Sequence, residues 1–524
     1  MSGGRRDVVV IGSGIEELVA ALELAQAGLG VTVLEPGEVP GGQAASEEIL
    51  PGFRIDPVHP DAGHLPPAIV NGLGLARHGL AELRPDPVLA APAAGGEPLV
   101  LWRDPQATRA SIARRSPRDA ERWMGFAGRI ASFSGILEAV AMRPPARPAG
   151  PLREMLPYFG VGRRIRSLGR SRMIELLRVL PLPAYDLLDD CFENDLLKGA
   201  LGALSVRGVF QGPRSPGTSL ALLHRQVGSP AGTFGPRTVV RGGVGALAAA
   251  LTAAAKERGV QVRCGAEVAA IEVEEGRAVG VSLDGGEVIA AGWVLSGADP
   301  ARTFLDLTGA RHLDPDFVHA VRQIRFRGGY VRVHLALAEA PRFEGLDVEP
   351  QGSLVIAPEL DAVERAYDDA KHGRMSGRPV LEARIPSLAD PSVAPSGRHV
   401  MSIDARFVPL GDHPAPEPDL AGAMGDRVVE LLAEHAPNLP GAILERRVLT
   451  PADLETRYRL TRGDPHHGEL ALDQLLFMRP VPGWGRYGTP IEGLYLCGPG
   501  THPAGAVTGV SGRLAAAAIL ARRG

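Results

Sequence analysis

Glycines and carboxylates near the amino end have the spacing of a nucleotide-binding turn. The stretch DVVVIGSGIEELVAAL, residues 7–22, places Gly12 and Gly14 directly after a short hydrophobic run. Gly12 can make the tight turn, and Gly14 can let phosphates approach unpaired amides at a helix N-terminus. Glu35 follows the next hydrophobic run, where an acidic side chain can accept the hydroxyls of a ribose. The spacing predicts a bound nucleotide cofactor.

Glu17 stands where this motif usually has its third glycine. A carboxylate in the first helical turn stabilises the helix dipole by roughly 0.3–1 kcal/mol, but beside a pyrophosphate it is a like charge. We therefore expect Glu17→Gly to tighten binding of the cofactor.

Further glycines occur after the second hydrophobic run and near the other end of the chain. Gly41 and Gly42 can pass close to a cofactor, and Gly498 and Gly500 lie between a short hydrophobic run and an alanine-rich helix. Two glycine-lined turns at opposite ends suit a long cofactor such as FAD better than NAD. We expect both ends of the chain to fold into one cradle for one FAD.

Hydrophobic periodicity predicts the elements that position these glycines. Val8–Ile11 and Val31–Leu34 are typical of strands buried on both faces. Leu18–Ala27 has helical spacing and ends at Gly28. Two parallel strands joined by one helix predict a doubly wound α/β sheet.

The middle of the chain changes from helical to strand patterns. Its predicted elements are a long helix at Ser116–Met142, a proline-rich break at Arg143–Pro151, a helical region at Leu152–Leu204, a β-meander at Arg263–Asp299, and strands at Gly329–Leu337 and His399–Phe407. Arginines alternate with apolar residues in Gly162–Leu180. This pattern fits either a helix at a membrane surface or a solvated face of a core helix.

Composition limits the classes of function. The 524 residues carry a net charge of −4 with 45% hydrophobic residues, which gives no reason to expect a nucleic-acid partner. Three cysteines far apart predict neither disulfides nor a metal site. The sequence contains no apolar run long enough to span a membrane. We expect a cytoplasmic protein whose only membrane contact is peripheral.

Several motifs together resemble one family. PGGQAAS, PGFRIDP, RGGVGALAAAL, SGADPARTFLDL, HHGELALDQLLFMRPVPGW and GLYLCGPGTHPAGAVTGVSGRLAA occur in order along the chain. With the first glycine turn, they resemble the phytoene-dehydrogenase-like FAD-dependent oxidoreductases, in the branch of the pyridine nucleotide-disulfide oxidoreductase domain-containing proteins. The resemblance implies an amine-oxidase-like α/β architecture, in which a doubly wound FAD-binding Rossmann-type domain (1–70, 231–300 and 476–524) carries an inserted α+β substrate domain (71–230 and 301–475).

The same resemblance assigns cofactor contacts. It places the pyrophosphate at Gly12, Ser13, Gly14 and Ile15, the adenosine ribose at Glu35, the ribityl chain at Gly42 and Gln43, the adenine at the backbone of Val268, and the flavin end at Gly498, Gly500, Thr501, Thr508 and Gly509. The family usually has arginine where Gln43 stands, and a more glycine-rich stretch at Ala504 and Ala506. The change to Gln43 removes a candidate partner for the phosphates.

Candidates for acid–base chemistry are few. His502 follows the C-terminal glycine turn and is the catalytic candidate, with a cap at a helix start as the alternative. His466 and His467 are expected in a surface loop, while His59 and His64 either enter the substrate cavity or support a loop. Tyr487 and Trp484 can pack either on the flavin or on the sheet.

Three functions fit the sequence. The first is an FAD-dependent oxidoreductase that desaturates or isomerises a polyene- or lipid-like substrate by hydride transfer to flavin. Because no separate nicotinamide site is visible, its electrons would pass to oxygen, a quinone or another protein. The second is a non-catalytic relative with weakened or lost FAD binding, as Glu17 and Gln43 suggest, that acts as a binding or assembly partner. The third is a surface-bound lipid carrier.

Overall fold

Two large β-sheets organise the chain in the computed structural model, which describes residues 6–147, 151, 154–235, 238–409, 419–505 and 509–523. Within these residues the strands are β1 (Arg6–Ile11), β2 (Val31–Leu34), β3 (Glu47–Leu50), β4 (Phe53–Ile55), β5 (Glu82–Leu83), β6 (Leu89–Ala91), β7 (Leu99–Leu101), β8 (Val239–Val240), β9 (Gln261–Arg263), β10 (Val268–Glu274), β11 (Arg277–Leu283), β12 (Val288–Ser296), β13 (Tyr330–Leu337), β14 (Ser353–Ile356), β15 (Val380–Arg384), β16 (His399–Arg406), β17 (Ile443–Leu449) and β18 (Leu494–Leu496).

Helices cover both sheets. They are α1 (Ile15–Gln26), α2 (Pro67–Leu73), α3 (Pro105–Ala113), α4 (Pro117–Ala141), α5 (Phe159–Ser167), α6 (Gly169–Val179), α7 (Ala184–Asp189), α8 (Asp195–Ser205), α9 (Thr218–Arg225), α10 (Val244–Glu257), α11 (Pro315–Arg322), α12 (Leu360–Lys371), α13 (Pro386–Ala389), α14 (Leu420–Ala433), α15 (Leu439–Ala442), α16 (Pro451–Tyr458) and α17 (Val510–Arg523). None of these helices combines the length and the apolar composition needed to cross a membrane.

The first sheet brings together strands from both ends of the chain. Its path is β10-β11-β12-β1-β2-β9, and β18 pairs with β12. The second half of β12 runs parallel to both β1 and β18, while its first half continues the antiparallel meander. Helix α1 packs against both α10 and α17 in one apolar core. The predicted doubly wound sheet is confirmed, with separate apolar cores packed against it, and strands that begin at residues 6 and 494 share the partner β12.

The second sheet has two unlike faces. Its order is β17-β13-β16-β15-β14-β6-β7. Apolar residues of β13, β15 and β16, including Val333 and Ile403, pack against α14, which contributes Val428. The residues between them point the other way and are charged or polar, as Arg332 and Asp404 are. One side of this sheet is thus a hydrophobic core, and the other side is a buried polar surface.

Most predicted elements are confirmed within a few residues. The predicted strand at Val31–Leu34 is β2, the predicted meander is β10 to β12, and the predicted long helix is α4. Helix α4 begins after Ser116, whose hydroxyl accepts a hydrogen bond from the Asp119 amide at 3.1 Å. It ends at Ala141, before the predicted proline-rich break.

Candidate active site

A cleft opens at the carboxyl ends of β1 and β2, beside the N-terminus of α1. It brings together eight of the residues predicted to hold the cofactor: Gly12, Ser13, Gly14, Ile15, Glu35, Gly42, Gln43 and Val268. Ligands of open α/β sheets bind at this edge, outside the carboxyl ends of the strands. The far end of the chain reaches the same cleft through Pro499.

Bare backbone forms the floor of the cleft. Gly12 has a φ of 91°, and its amide donates to the Leu34 carbonyl at 2.8 Å. Gly14 precedes α1, and no side chain caps this helix. Gly42 crosses the turn so closely that a Cβ on it would lie 3.5 Å from the Gly14 nitrogen. The three glycines leave the helix N-terminus accessible to a phosphate group.

Glu35 is held at the end of β2 by three hydrogen bonds. Its carboxylate accepts from the Ser13 amide at 3.0 Å, from the Ser13 hydroxyl at 2.5 Å and from the Gly37 amide at 2.9 Å. The hydroxyl of Ser13 in turn accepts from the Gly41 amide at 2.9 Å. These bonds fix the acidic side chain at the cleft, where the ribose is expected.

Glu17 is buried beneath the glycine turn. A Cβ on Gly14 would lie 2.4 Å from its Oε2, and a Cβ on Gly297 would lie 2.1 Å from its Oε1. The carboxyl group therefore occupies the space that a side chain at position 297 would fill. The Cys497 thiol donates to the same Oε1 at 3.8 Å.

Burial, followed by the charge of Glu16, raises the pKa of Glu17 to about 8. At neutral pH the group is mostly protonated and carries little charge. We expected Glu17 to place a like charge beside the pyrophosphate. This expectation is wrong at neutral pH, because desolvation keeps the carboxyl group neutral. A protonated carboxyl can also donate a hydrogen bond to a phosphate oxygen.

Gln43 stands where the family usually has arginine, and it links two buried histidines. Its Nε2 donates to Nε2 of His467 at 2.6 Å, and its Oε1 accepts from Nε2 of His59 at 3.0 Å. Burial lowers the pKa of both histidines to about 3. His467 therefore carries its single proton on Nδ1, which is buried without a hydrogen-bond partner among the described residues. The expected surface loop at His466 and His467 is wrong, because His467 is buried against the cleft.

Arg479 joins this histidine loop to the C-terminal turn. Its buried guanidinium donates to six carbonyl oxygens, those of His466, His467, Gly468, Glu469, Gln474 and Pro499. Pro499 and His467 both line the cleft. The side chain of Arg479 therefore positions both of these parts of the cleft wall.

The remaining predicted C-terminal residues lie behind the cleft wall. Gly498 contacts Gly297, Gly500 packs on Pro300, and the Thr501 hydroxyl donates to the Gly498 carbonyl at 2.9 Å. Gly509 has a φ of 72° and packs on Val19 of α1. Thr508 and Ala506 lie outside the described residues. The turn thus supports Pro499 at the cleft.

His502 lines a second, apolar cavity and not the cleft. Its ring lies against the carbonyl groups of Val140, Ala141 and Arg143, where α4 ends. Burial lowers its pKa to about 4, although these carbonyls oppose the shift. His64 and His224 line the same cavity. His59 and His64 therefore both reach cavities, and the catalytic role of His502 stays a prediction.

Neither candidate aromatic residue packs in the cleft: Tyr487 lies in the protein core, and Trp484 is 37% exposed. Tyr487 is buried, and its hydroxyl donates to the His502 carbonyl at 3.0 Å. Trp484 packs edge-on against Phe317, with ring centroids 5.9 Å apart. Neither residue lines the cleft.

The cleft fits FAD on three observations: the uncapped N-terminus of α1, the close crossing of Gly42 over Gly14, and the unpartnered Nδ1 proton of His467. A family model of the flavin-containing amine oxidoreductases matches residues 204–520, and one of NAD(P)-binding Rossmann-like domains matches residues 10–62. The chain belongs to the flavin-containing amine oxidoreductase family. It is an FAD-dependent oxidoreductase of the phytoene-dehydrogenase-like type.

Relatives of this flavin-containing oxidoreductase share its whole length. Pyridine nucleotide-disulfide oxidoreductase domain-containing protein 2 of Mus musculus is 34% identical over 97% of this chain and 92% of its own. A neurosporene-forming phytoene desaturase of Cereibacter sphaeroides is 27% identical, with 98% and 94% covered. A putrescine oxidase variant has the same fold, with a TM-score of 0.60, 16% identity and 99% of each chain covered.

Sequence reasoning missed Gly297 and Arg479. Gly297 follows β12, so pairing this strand with the first glycine turn would have pointed to it. Pro499 lies between Gly498 and Gly500, in the stretch that the resemblance placed at the flavin end. No sequence pattern indicates the role of Arg479, because its partners are backbone carbonyls, which every residue has.

Proposed function

We propose that this flavoenzyme removes hydrogen from a hydrophobic, polyene- or lipid-like substrate, so that a double bond forms or moves. The observation that carries the proposal is the apolar cavity beside the C-terminal turn. Side chains of α4, α9 and the segment around Leu475 line it, among them Leu137, Met142, Leu220 and Val227. The name of the Cereibacter relative, a phytoene desaturase, supports the same substrate class.

The chain's own groups have distinct tasks in this reaction. Bound FAD supplies the hydride acceptor. The amides around Gly14 bind its phosphates, and Glu35 orients the ribose. His502 is the candidate acceptor of the one proton that leaves, beside the hydride, when a C–C single bond becomes a double bond. Because its pKa is about 4, it is neutral at pH 7, but it is a weak base that must pass the proton on to water.

A peripheral contact with an anionic membrane would deliver such a substrate. Helices α5 and α6 expose large apolar side chains, with Phe159 78% exposed and Leu177 65% exposed. Six exposed arginines surround them: Arg163, Arg164, Arg166, Arg170, Arg172 and Arg178. Apolar groups among arginines complement a surface of acidic headgroups over acyl chains. This favours the membrane-surface interpretation of the arginine pattern.

An anaerobic spectrum tests the proposed reaction. Purified protein is mixed without oxygen with polyenes and unsaturated lipids in detergent, and the flavin absorbance is followed. We expect a substrate of this class to bleach the flavin, and added oxygen or a quinone to restore it. Folded protein without flavin that takes up no FAD would support a non-catalytic partner, and co-purified lipid without flavin would support a carrier.

A further inference from the structure

The polar face of the second sheet carries an unusual set of buried charges. We call this set the arginine cluster; it contains five arginines and three carboxylates: Arg207, Arg225, Arg332, Arg384, Arg406, Asp61, Glu382 and Asp404. All except Arg207 are buried, with relative exposures of 8% or less. The strands β13, β15 and β16 supply five of the eight, which alternate along each strand with residues of the hydrophobic core.

Glu382 is the anchor of this cluster. Its carboxylate pairs with Arg406 at 2.6 Å, Arg225 at 2.9 Å and Arg207 at 3.4 Å. With Arg384 at 3.7 Å, one carboxylate therefore holds four guanidinium groups, which meet on the same side of the sheet. Burial, followed by the charge of Arg207, lowers the pKa of Arg225 to about 9, as expected where positive charges crowd together.

The cluster holds more positive than negative charge. Five guanidinium groups face three carboxylates, and a buried charge without a partner is strongly unfavourable. Asp464 lies nearby, but burial raises its pKa to about 7, so it offsets only part of the excess. His59 lies there too, and its pKa of about 3 leaves it neutral.

Hydrogen-bond donors of the cluster are left unused. Nε and Nη1 of Arg332 and Nε of Arg406 are buried without a hydrogen-bond partner among the described residues. The Tyr330 ring lies beside Arg332, with its centroid 5.2 Å from the guanidinium carbon. Arg207, Arg332 and Arg406 all line one small cavity. Buried guanidinium donors are normally satisfied, so this cavity lacks an acceptor.

The cavity adjoins the FAD cleft, and one of its wall residues is close to the apolar cavity. It shares His59 with the FAD cleft. It is also lined by His466, whose pKa is lowered mainly by burial and in part by His224 of the apolar cavity. A molecule with one charged end could place that end among the arginines and its apolar body beside His224.

We propose that the arginine cluster binds the oxyanion of an amphipathic substrate, a carboxylate or a phosphate, whose hydrocarbon part occupies the apolar cavity. Arg332 and Arg406 donate to the oxyanion, and Glu382 positions Arg207 and Arg406 without touching it. This inference rests on the proposed function only in treating the bound molecule as the substrate.

Calorimetry on the purified full-length protein tests the inference. The ligands are octanoate, octyl phosphate, uncharged octanol and inorganic phosphate. We expect both octyl anions to bind, octanol to bind about tenfold more weakly or not at all, and the better of the two anions to identify the headgroup. Equal binding of octanol and octanoate would overturn the inference. Tight binding of inorganic phosphate alone would exclude an amphipathic ligand.

Variants assign the binding to the cluster. Arg332→Gln should weaken the octyl anions about tenfold and leave octanol unchanged, and Arg332→Lys should restore part of the affinity. The matched control is Arg378→Gln, because Arg378 is an exposed arginine paired with Glu434. Unchanged anion binding in Arg332→Gln would contradict the assignment. If that variant does not fold, the comparison of octanoate with octanol in the natural protein still decides.

A separate measurement distinguishes the inference from the proposed function. Anion binding by calorimetry needs no turnover. If the octyl anions bind but no apolar acid reduces the flavin, the oxyanion site stands and the proposed reaction is contradicted. Flavin reduction by polyenes, together with equal calorimetric binding of octanol and octanoate, would leave the reaction standing and remove the oxyanion site.

Discussion

At the scale of single residues, the buried carboxyl of Glu17 makes FAD affinity depend on pH. Its pKa of about 8 rises further when phosphates bind nearby, so FAD binds more tightly to the protonated form. We expect the dissociation constant to rise as the pH increases through about 8. Glu17→Gln keeps the shape without the charge and should bind FAD equally well from pH 7 to 9. Flavin fluorescence titrations measure both.

A matched control and a stability measurement sharpen this prediction. Glu38→Gln changes an exposed carboxylate near the same cleft and should keep the natural pH dependence. Because the pKa of Glu17 is raised from 4.5, its contribution to stability is complete below that pH and is lost as the pH rises through about 8. Glu17→Gln should therefore unfold at higher urea than the natural protein at pH 9. An identical pH profile in Glu17→Gln and the natural protein would rule out this role.

Arg479 offers a second prediction for a single residue. Lysine has three donors and cannot serve the six carbonyls that this guanidinium contacts. We expect Arg479→Lys to lower the free energy of unfolding by about 3 kcal/mol, since buried carbonyls lose their donors. It should also lower FAD content, because His467 and Pro499 lose their common support. Arg378→Lys, at an exposed site, should change neither quantity.

Residue types predicted the glycine turn but not the state of Glu17. The roles of Gly12, Gly14 and Glu35 follow from local spacing, which sequence displays directly. The pKa of Glu17 is raised mainly by burial, and Gly297 and Cys497, which help to bury the carboxyl group, are hundreds of residues away, so local spacing does not reveal it. Gln43 likewise gains its meaning only from His467, 424 positions later.

At the scale of elements, helices α5 and α6 carry the prediction of membrane contact. The double variant Phe159→Ser/Leu177→Ser should reduce cosedimentation with anionic vesicles about tenfold, because two exposed apolar side chains no longer enter the interface. High salt should weaken the binding of the natural protein. The control is Val288→Ser, which removes an equally exposed apolar group from the first sheet. Equal loss in the control, or no vesicle binding by the natural protein, would contradict the prediction.

The elements themselves were predictable from local pattern, but the burial of a charged strand face was not. Helix α4 and strand β2 follow from periodicity alone. In β13 and β16 the sequence YVRVHL and its partner SIDAR alternate between apolar and charged residues, which is typical of a strand with one solvated face. The charged face is instead buried, because Arg207, two residues after α8, and Arg225, at the end of α9, lie above it. The alternation of apolar and charged residues cannot show whether the charged face of a strand contacts water or a buried layer of ion pairs.

At the scale of the whole molecule, both ends of the chain build one site. Strand β1 from the start and β18 from the end both pair with β12, and α1 packs against α17. The sequence predicted this meeting from two glycine turns of the same kind. It did not predict the charged layer behind the cleft, since that layer forms only where strands of the second sheet meet His59 and Asp61.

The absorption spectrum of the freshly purified full-length protein tests the central claim most directly, together with the amount of FAD released by denaturation. We predict flavin bands, about one FAD per chain, and bleaching by dithionite. Gly42→Leu, whose side chain would enter the space above Gly14, should lose the bands while circular dichroism stays unchanged. Folded natural protein that is colourless and takes up no added FAD would contradict the claim that both ends form one FAD cradle.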